Sequence, residues 1–145
     1  MELKPKIGID NLKFGMSRKE IIAILGEPDR TLTNEDDNNE VMLEWNEKKL
    51  RLSFFKDEKD RFGYIRTKNT SLNYNGHEIF DKKIEIVKDE IFGNLINDWE
   101  VEDYGFFETH TCEKYWLTLY VEYGIVIDFE IGVPFKNDSD YDWPK

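Results

Sequence analysis

The stretch Leu12-Lys-Phe-Gly-Met-Ser-Arg-Lys-Glu-Ile-Ile-Ala-Ile-Leu-Gly-Glu-Pro-Asp29 decides the fold prediction, because it marks both ends of a helix. Ser17 and Glu20 have the spacing of a capping box, in which each side chain accepts a hydrogen bond from the other residue's backbone N–H. Apolar residues at 21, 22 and 25 form a one-sided stripe. Gly26 suits the position after a helix, and Pro28 prevents a restart. The sequence therefore predicts a helix of about nine residues.

Strand patterns with short charged links follow this helix. Apolar alternation predicts strands at 41–45, 50–55 and 62–67, after a polar loop at 33–40. A similar order recurs roughly 65 residues later, with a helix from Asp81 to about Ile96 and strands at 106–111, 115–123 and 125–131. The predicted fold class is α+β: two tandem helix–three-strand repeats that form one antiparallel sheet with the helices on one face.

These repeats predict a single domain over residues 1–145. Repeat one spans about 7–69, repeat two about 72–135, and an acidic tail at 136–145 is expected to be exposed, with Trp143 as its one anchor. No stretch approaches the roughly 18 apolar residues of a membrane span, and the first residues have no apolar run of signal-peptide length. The only cysteine is Cys112, so no intramolecular disulfide forms. We expect a cytoplasmic location.

The net charge of −11 lies entirely in the second half of the chain. Residues 1–72 hold 14 of the 31 acidic and 14 of the 20 basic residues, so the remaining 17 acidic and 6 basic residues of 73–145 carry the whole imbalance. A one-sided acidic field repels nucleic acid and speeds encounter with basic proteins. Alternatively, the acidity only keeps the protein soluble, and the sequence leaves both interpretations open.

No catalytic or metal-binding pattern stands out. His110 and Cys112 share a strand face, but parallel side chains do not converge as a nucleophile and its base must. One cysteine and two distant histidines do not make a zinc site, and neither acidic loop has the glycine and glutamate of a calcium loop. Phosphate-binding and nucleophile-elbow motifs are absent. We expect a protein that is not an enzyme and has no cofactor, metal or catalytic residue.

The candidate site is the open face of the predicted sheet. If the helices cover the face that carries Leu117, Leu119, Ile127 and Phe129, aromatic and acidic side chains point the other way, where aromatics anchor a partner and charges steer it. The predicted partner-binding residues are Trp116, Tyr120, Glu122, Asp128 and Glu130 from the second half, and Glu44 and Phe55 from the first half. Met42, Arg51 and Arg66 are expected beside them. Alternatively, Trp116 and Tyr120 only cover the sheet or pack under the tail around Trp143.

The run from Phe14 to Asp29 resembles the Gly-Met-Ser/Thr-x-x-Glu-Val…Leu-Gly-x-Pro signature of the beta-lactamase-inhibitor-protein-like superfamily. The tandem pattern extends this likeness over about residues 7–135. The resemblance implies a two-repeat sheet whose aromatic-rich concave face grips another protein. This chain lacks the lipid-acceptor cysteine of the outer-membrane lipoproteins and the disulfide pair of the secreted inhibitors. In its acidity it is similar to bacterial immunity proteins.

We therefore expect a non-enzymatic protein-binding inhibitor, a bacterial immunity protein that occludes a basic toxin or enzyme domain. The expected partner is a basic protein, with no nucleic acid and no membrane. A cytoplasmic scaffold or assembly module with several weak partners is the alternative, followed by a small-ligand-binding or hydrolytic protein. A variant of the inhibitor hypothesis is a mimic of nucleic acid that occupies a basic cleft. Its carboxylates are expected in evenly spaced rows rather than around aromatic residues.

Overall fold

Eight antiparallel strands form one sheet in the computed structural model, which describes all residues 1–145. Strands make up 41% of the chain and helices 15%. The main-sheet strands are β4 Arg30–Thr33, β5 Glu40–Trp45, β6 Leu50–Phe55, β7 Arg61–Thr67, β10 Glu100–Asp103, β11 Glu108–Cys112, β12 Leu117–Glu122 and β13 Ile125–Gly132. The remaining elements are β1 Leu3–Lys4, β2 Gly8–Ile9, β3 Leu12–Lys13, β8 Asn73–Tyr74, β9 His77–Glu78, α1 Arg18–Leu25 and α2 Ile84–Ile86.

The predicted α+β class of helix–three-strand repeats is wrong. The sheet order is β10-β11-β12-β13-β7-β6-β5-β4, so four strands, not three, come from each half of the chain, and the only two α-helices are short. The two strands missing from the prediction, β4 and β10, are the edges of the sheet. Their residues are almost all exposed, so they lack the apolar alternation that indicates a strand.

Helix α1 has both predicted caps. The Ser17 side chain accepts from the Glu20 backbone, the Glu20 side chain accepts from the Ser17 backbone, and Gly26 follows with a positive φ of 85°. Ile21 is fully buried and fixes the helix to the core. The capping box thus determines where this helix begins.

The predicted helix from Asp81 to Ile96 is far shorter. Helix α2 covers three residues and continues as a π-helical turn over Val87–Ile91. A Cβ on Gly93 would overlap the Asp89 carbonyl, so the chain turns tightly at a point where only glycine fits. The apolar stripe is still buried, because Ile84, Val87 and Ile91 enter the core.

One face of the sheet is apolar and covered. Leu52, Ile65, Phe129 and Ile131 lie in the middle of this face with no measurable exposure. A single cluster of 30 buried residues joins them to α1, α2 and the N-terminal strands. The helices therefore cover this face, which is called the core face below, and leave the opposite face, called the open face, without a covering layer.

A β-bulge between Tyr120 and Val121 changes the predicted faces of β13. The register pairs Tyr120 with Asp128 but Val121 with Val126, so one residue of β13 is unmatched. Val126 is therefore buried in the core, whereas Ile127 is only partly buried. The expectation that Ile127 lies on the core face is wrong, because strict alternation stops at a bulge.

The C-terminal tail packs back onto one end of the sheet. Tyr141 stacks on Phe55 at 5.3 Å between ring centroids and on Phe135 at 4.5 Å. Trp143 lies under the Arg61 guanidinium, 4.2 Å from its carbon. Residues 136–140 remain exposed. The tail therefore covers Phe55, which is only 9% exposed. No helix of the structure is long and apolar enough to span a membrane.

Candidate functional site

A row of polar residues crosses the whole open face, with one residue from each strand. The cross-strand register runs Arg30, Glu44, Arg51, Arg66, Glu130, Thr118, Thr111 and Glu100, a set called the polar ladder below. Residues directly opposite each other in a sheet lie close enough for their side chains to interact. The open face is therefore organised by charge rather than by apolar packing.

The centre of the ladder is a cluster of five side chains from β7, β12 and β13. Tyr64 and Tyr120 donate hydrogen bonds of 3.0 and 2.9 Å to the same oxygen, Oε2 of Glu130. Arg66 donates to Asp128 at 2.7 Å and contacts the other Glu130 oxygen at 3.2 Å. These five residues are called the central cluster. Its hydrogen bonds join the two halves of the sheet, since β7 belongs to the first half and β13 to the second.

The environment shifts the acid–base behaviour of the cluster. Burial and the Glu130 carboxylate raise the pKa of Tyr120 to about 12 and move the pKa of Tyr64 further in the same direction. Burial works to lower the pKa of Arg66, but the carboxylates of Asp128 and Glu130 outweigh it and raise this pKa. Both phenols are thus neutral at pH 7. The carboxylates accept bonds from groups that keep their protons, so the cluster has no free base.

The first half of the ladder consists of paired charges. Glu44 lies between Arg30 and Arg51, at 2.7 and 2.8 Å. Burial works to raise the pKa of Glu44, and the hydrogen bonds from the two arginines outweigh it, so the pKa is lowered. Arg51 and Arg66 lie directly opposite each other on β6 and β7.

The second half of the open face carries aromatic rings and carboxylates, one of which, Glu102, accepts a 2.7 Å hydrogen bond from the Tyr104 hydroxyl. Tyr104 stacks on Phe107 at 5.0 Å, and Phe107 lies 6.1 Å from Tyr120, whose other side holds the Arg66 guanidinium at 5.1 Å. Glu100, Glu102 and Glu122 flank this line, and none of them forms a salt bridge. No Lys or Arg occurs between residues 89 and 113. The aromatic line with its three glutamates is called the acidic face.

The structure brings together some of the predicted site residues and separates others. Tyr120, Asp128 and Glu130 meet in the central cluster, and Glu122 lies two residues from Tyr120 on β12. Asp128 is only 3% exposed because Arg66 covers it. Glu44 lies on the same ladder at the other side of the arginine pair.

Trp116 and Phe55 lie at the end of the sheet that the tail covers. Trp116 has a positive φ of 50° and precedes β12, with its ring against Phe135 at 5.5 Å and beside Gly132. It is 37% exposed, whereas Phe55 is enclosed by Tyr141. The structure thus gives Phe55 a packing contact rather than an exposed surface.

Sequence reasoning missed Tyr64, Tyr104 and Phe107. Phe62 and Ile65 both lie in the core, so Tyr64 between them does not follow strict alternation. The β-bulge between Ser53 and Phe54 causes this irregularity. Tyr104 and Phe107 lie in the tight turn around Gly105, outside any periodic pattern. The signal available in the sequence was the absence of basic residues around these aromatics.

His110 and Cys112 take no part in the open face. His110 is 6% exposed and lies between Lys88 and Glu108, with 3.1 Å from each ring nitrogen to its partner. Cys112 is buried and unpaired. No group of three or more His, Cys, Asp or Glu side chains is arranged to hold a metal ion.

Comparison with known proteins gives a likeness of fold. A DUF4309 family protein (YjgB) from Bacillus subtilis is similar with a TM-score of 0.53 and 14% identity, over 86% of this chain and 83% of that one. An extracellular protein containing a SCP domain from Bacillus anthracis is similar with a TM-score of 0.56 and 12% identity. The match covers 91% of this chain and 49% of that protein, so this chain spans about half of its length. No family model matches, and no curated protein matches by sequence.

Proposed function

We propose that this protein is a non-enzymatic binding protein that inhibits a basic protein partner through its acidic face. The observation that carries the proposal is the line Tyr104–Phe107–Tyr120, flanked by carboxylates that no cation of the chain neutralises. Aromatic side chains dominate the binding energy of protein interfaces, and complementary charge sets association rate and specificity.

The rigidity of the face supports the same proposal. Tyr120 is held by Glu130 on one side and by Arg66 and Phe107 on its ring, so its position is fixed before a partner arrives. A side chain that is already ordered loses little conformational entropy on binding. The two hairpin tips beside the face present Phe106 and Tyr123, which are 90% and 96% exposed. Both tips line one shallow pocket together with Phe107, and a contiguous exposed apolar patch is typical of an interaction site.

The inhibitor class, of the bacterial immunity-protein kind, rests on the sequence resemblance around Gly15–Met16 and on the acidity of residues 73–145. A cytoplasmic location belongs to the same proposal and is supported by the lone, unpaired Cys112. The binding surface that we propose differs from the set expected from sequence. It keeps Tyr120 and Glu122 and adds Glu100, Glu102, Tyr104 and Phe107. The predicted residues that it omits are Glu44, Phe55, Trp116, Asp128 and Glu130.

The test is capture of the partner with matched charge variants. The triple variant Glu100→Lys, Glu102→Lys and Glu122→Lys reverses the acidic face. The control triple Glu27→Lys, Glu35→Lys and Glu47→Lys changes the net charge equally at exposed positions of the first half, none of which forms a salt bridge. We expect wild type and control to capture one basic protein that the acidic-face variant does not. Equal capture by all three proteins would refute the proposal.

A further inference from the structure

The arginine pair at the centre of the ladder is an arrangement of like charges. Arg51 on β6 and Arg66 on β7 are direct cross-strand neighbours, and like charges in this position are destabilising. Their carboxylate partners lie on the outer sides of the pair: Glu44 on β5 binds Arg51, and Asp128 and Glu130 on β13 bind Arg66. The Nη1 atom of Arg51 makes no hydrogen bond within the protein. The two guanidinium groups therefore lie side by side where β6 meets β7, a positively charged region flanked by these carboxylates.

Two lysines extend this positive region beyond the strand ends. Lys49 precedes β6 and Lys68 follows β7, and the Lys68 N–H donates to the Lys49 carbonyl at 3.3 Å. Both residues are exposed, and neither forms a salt bridge. The four cations line one open cavity of about 340 Å³, together with Glu44 and Asp128. Both of these carboxylates are already bound by the arginines, so the two lysines remain uncompensated.

We propose that this cavity is a binding site for a small organic anion, held through a phosphate or carboxylate group. Guanidinium and ammonium groups are the side chains that bind such oxygens most strongly. The volume lies within the range of small-molecule sites, about 300–1,000 Å³, near its lower end. Trp45 and Leu50, both almost fully buried, are the two apolar residues of the lining. The acidic second half of the chain repels polyanions such as nucleic acid, so a small ligand fits this site best.

No residue of the acidic face lines this cavity, although Arg66, which does line it, also lies over the Tyr120 ring at 5.1 Å. The cavity is formed mainly by residues in or beside β5, β6 and β7, whereas the acidic face is formed by β10, β12 and the turn between β10 and β11. A variant that loses anion binding at the cavity can therefore still be tested for protein binding at the acidic face, and the reverse also holds.

The experiment is an NMR titration of the full chain, labelled on backbone amides, with inorganic phosphate, pyrophosphate and citrate at constant ionic strength. The site variant is Lys49→Ala with Lys68→Ala. The control is Lys19→Ala with Lys56→Ala, which removes two exposed lysines that form no salt bridge. We expect saturable shifts at the amides of residues 49, 51, 66 and 68 for at least one anion. The site variant should weaken binding about tenfold or more, equivalent to at least 1.4 kcal/mol, and the control should not.

The relative affinities identify the group that is recognised. Tighter binding of pyrophosphate supports a phosphate-bearing ligand, and tighter binding of citrate supports a polycarboxylate. Absence of saturable shifts at these amides with all three anions would overturn the proposal. Equal affinity of the site variant and the control would overturn it as well, because binding would then follow net charge rather than the cavity.

Discussion

Tyr64 donates a 3.0 Å hydrogen bond to Glu130 across the seam where the first half of the sheet meets the second. Glu130 also accepts from Tyr120 and contacts Arg66, so a single carboxylate ties three neighbouring strands together on the open face. The main-chain pairing of β7 with β13 is thus reinforced by side chains.

Tyr64→Phe removes one hydrogen bond to a charged acceptor. We expect the free energy of unfolding to fall by about 1–2 kcal/mol, since bonds to charged groups contribute about 1.5–3 kcal/mol and Glu130 keeps two other partners. Urea unfolding of Tyr64→Phe, Glu130→Gln and the double variant measures the coupling between the two side chains. Additive losses would contradict a direct interaction.

The raised pKa of Tyr120 predicts a loss of stability at high pH. Burial and Glu130 favour the neutral phenol in the folded state, with a pKa of about 12, while an unfolded tyrosine ionises near pH 10. The contribution is fully present below pH 10 and is lost as pH rises from about 10 to about 12. The stability of wild type relative to Tyr120→Phe should therefore decrease over this interval. A constant difference between the two proteins would show that Tyr120 has an ordinary pKa.

Gly132→Ala tests the packing of the ring pair at the sheet end. A Cβ at this position would lie 2.6 Å from both the Tyr64 and the Trp116 rings, so one ring must move. We expect a loss of about 1–3 kcal/mol in the free energy of unfolding and a changed tryptophan emission spectrum. Thr118→Ala, a neighbouring open-face change without overlap, serves as the control. An unchanged stability would place Trp116 elsewhere.

Tyr141→Ala tests whether the tail covers the sheet. Tyr141 stacks on Phe55 and Phe135, and we expect its loss to cost about 1–2 kcal/mol and to increase binding of a hydrophobic dye at the exposed rings. Asp138→Ala, at an exposed tail position, is the matched control. Dye binding equal to wild type in both variants would mean that the tail leaves Phe55 uncovered.

The sequence predicts local features of this fold better than its architecture. Ser17, Glu20 and Gly26 fix α1 because caps are determined by neighbouring residues. Edge strands such as Glu100–Asp103 escape prediction because they bury nothing and are held by main-chain bonds to β11. The apolar stripe predicts a longer helix than α2. Ile84 and Ile91 are buried by packing against the core, and this burial does not require the whole segment to be α-helical.

The site shows the same limit. The alternation of β12 correctly places Tyr120 and Glu122 on the face opposite Leu119. The partners of Glu130 depend on register between strands about 65 residues apart, which no local pattern contains. Tail packing over Phe55 depends in turn on the position of Tyr141, which follows from the completed sheet.

Whether the acidic face binds a basic protein is tested most directly by the association rate of the captured partner at increasing salt. We predict a rate for wild type that falls steeply with ionic strength, because exposed charges are screened beyond a Debye length of about 8–10 Å. The Glu100, Glu102 and Glu122 charge-reversal variant should associate at least about tenfold more slowly at low salt. A rate that is independent of salt, or equal in this variant and in the Glu27, Glu35 and Glu47 control, would contradict the account.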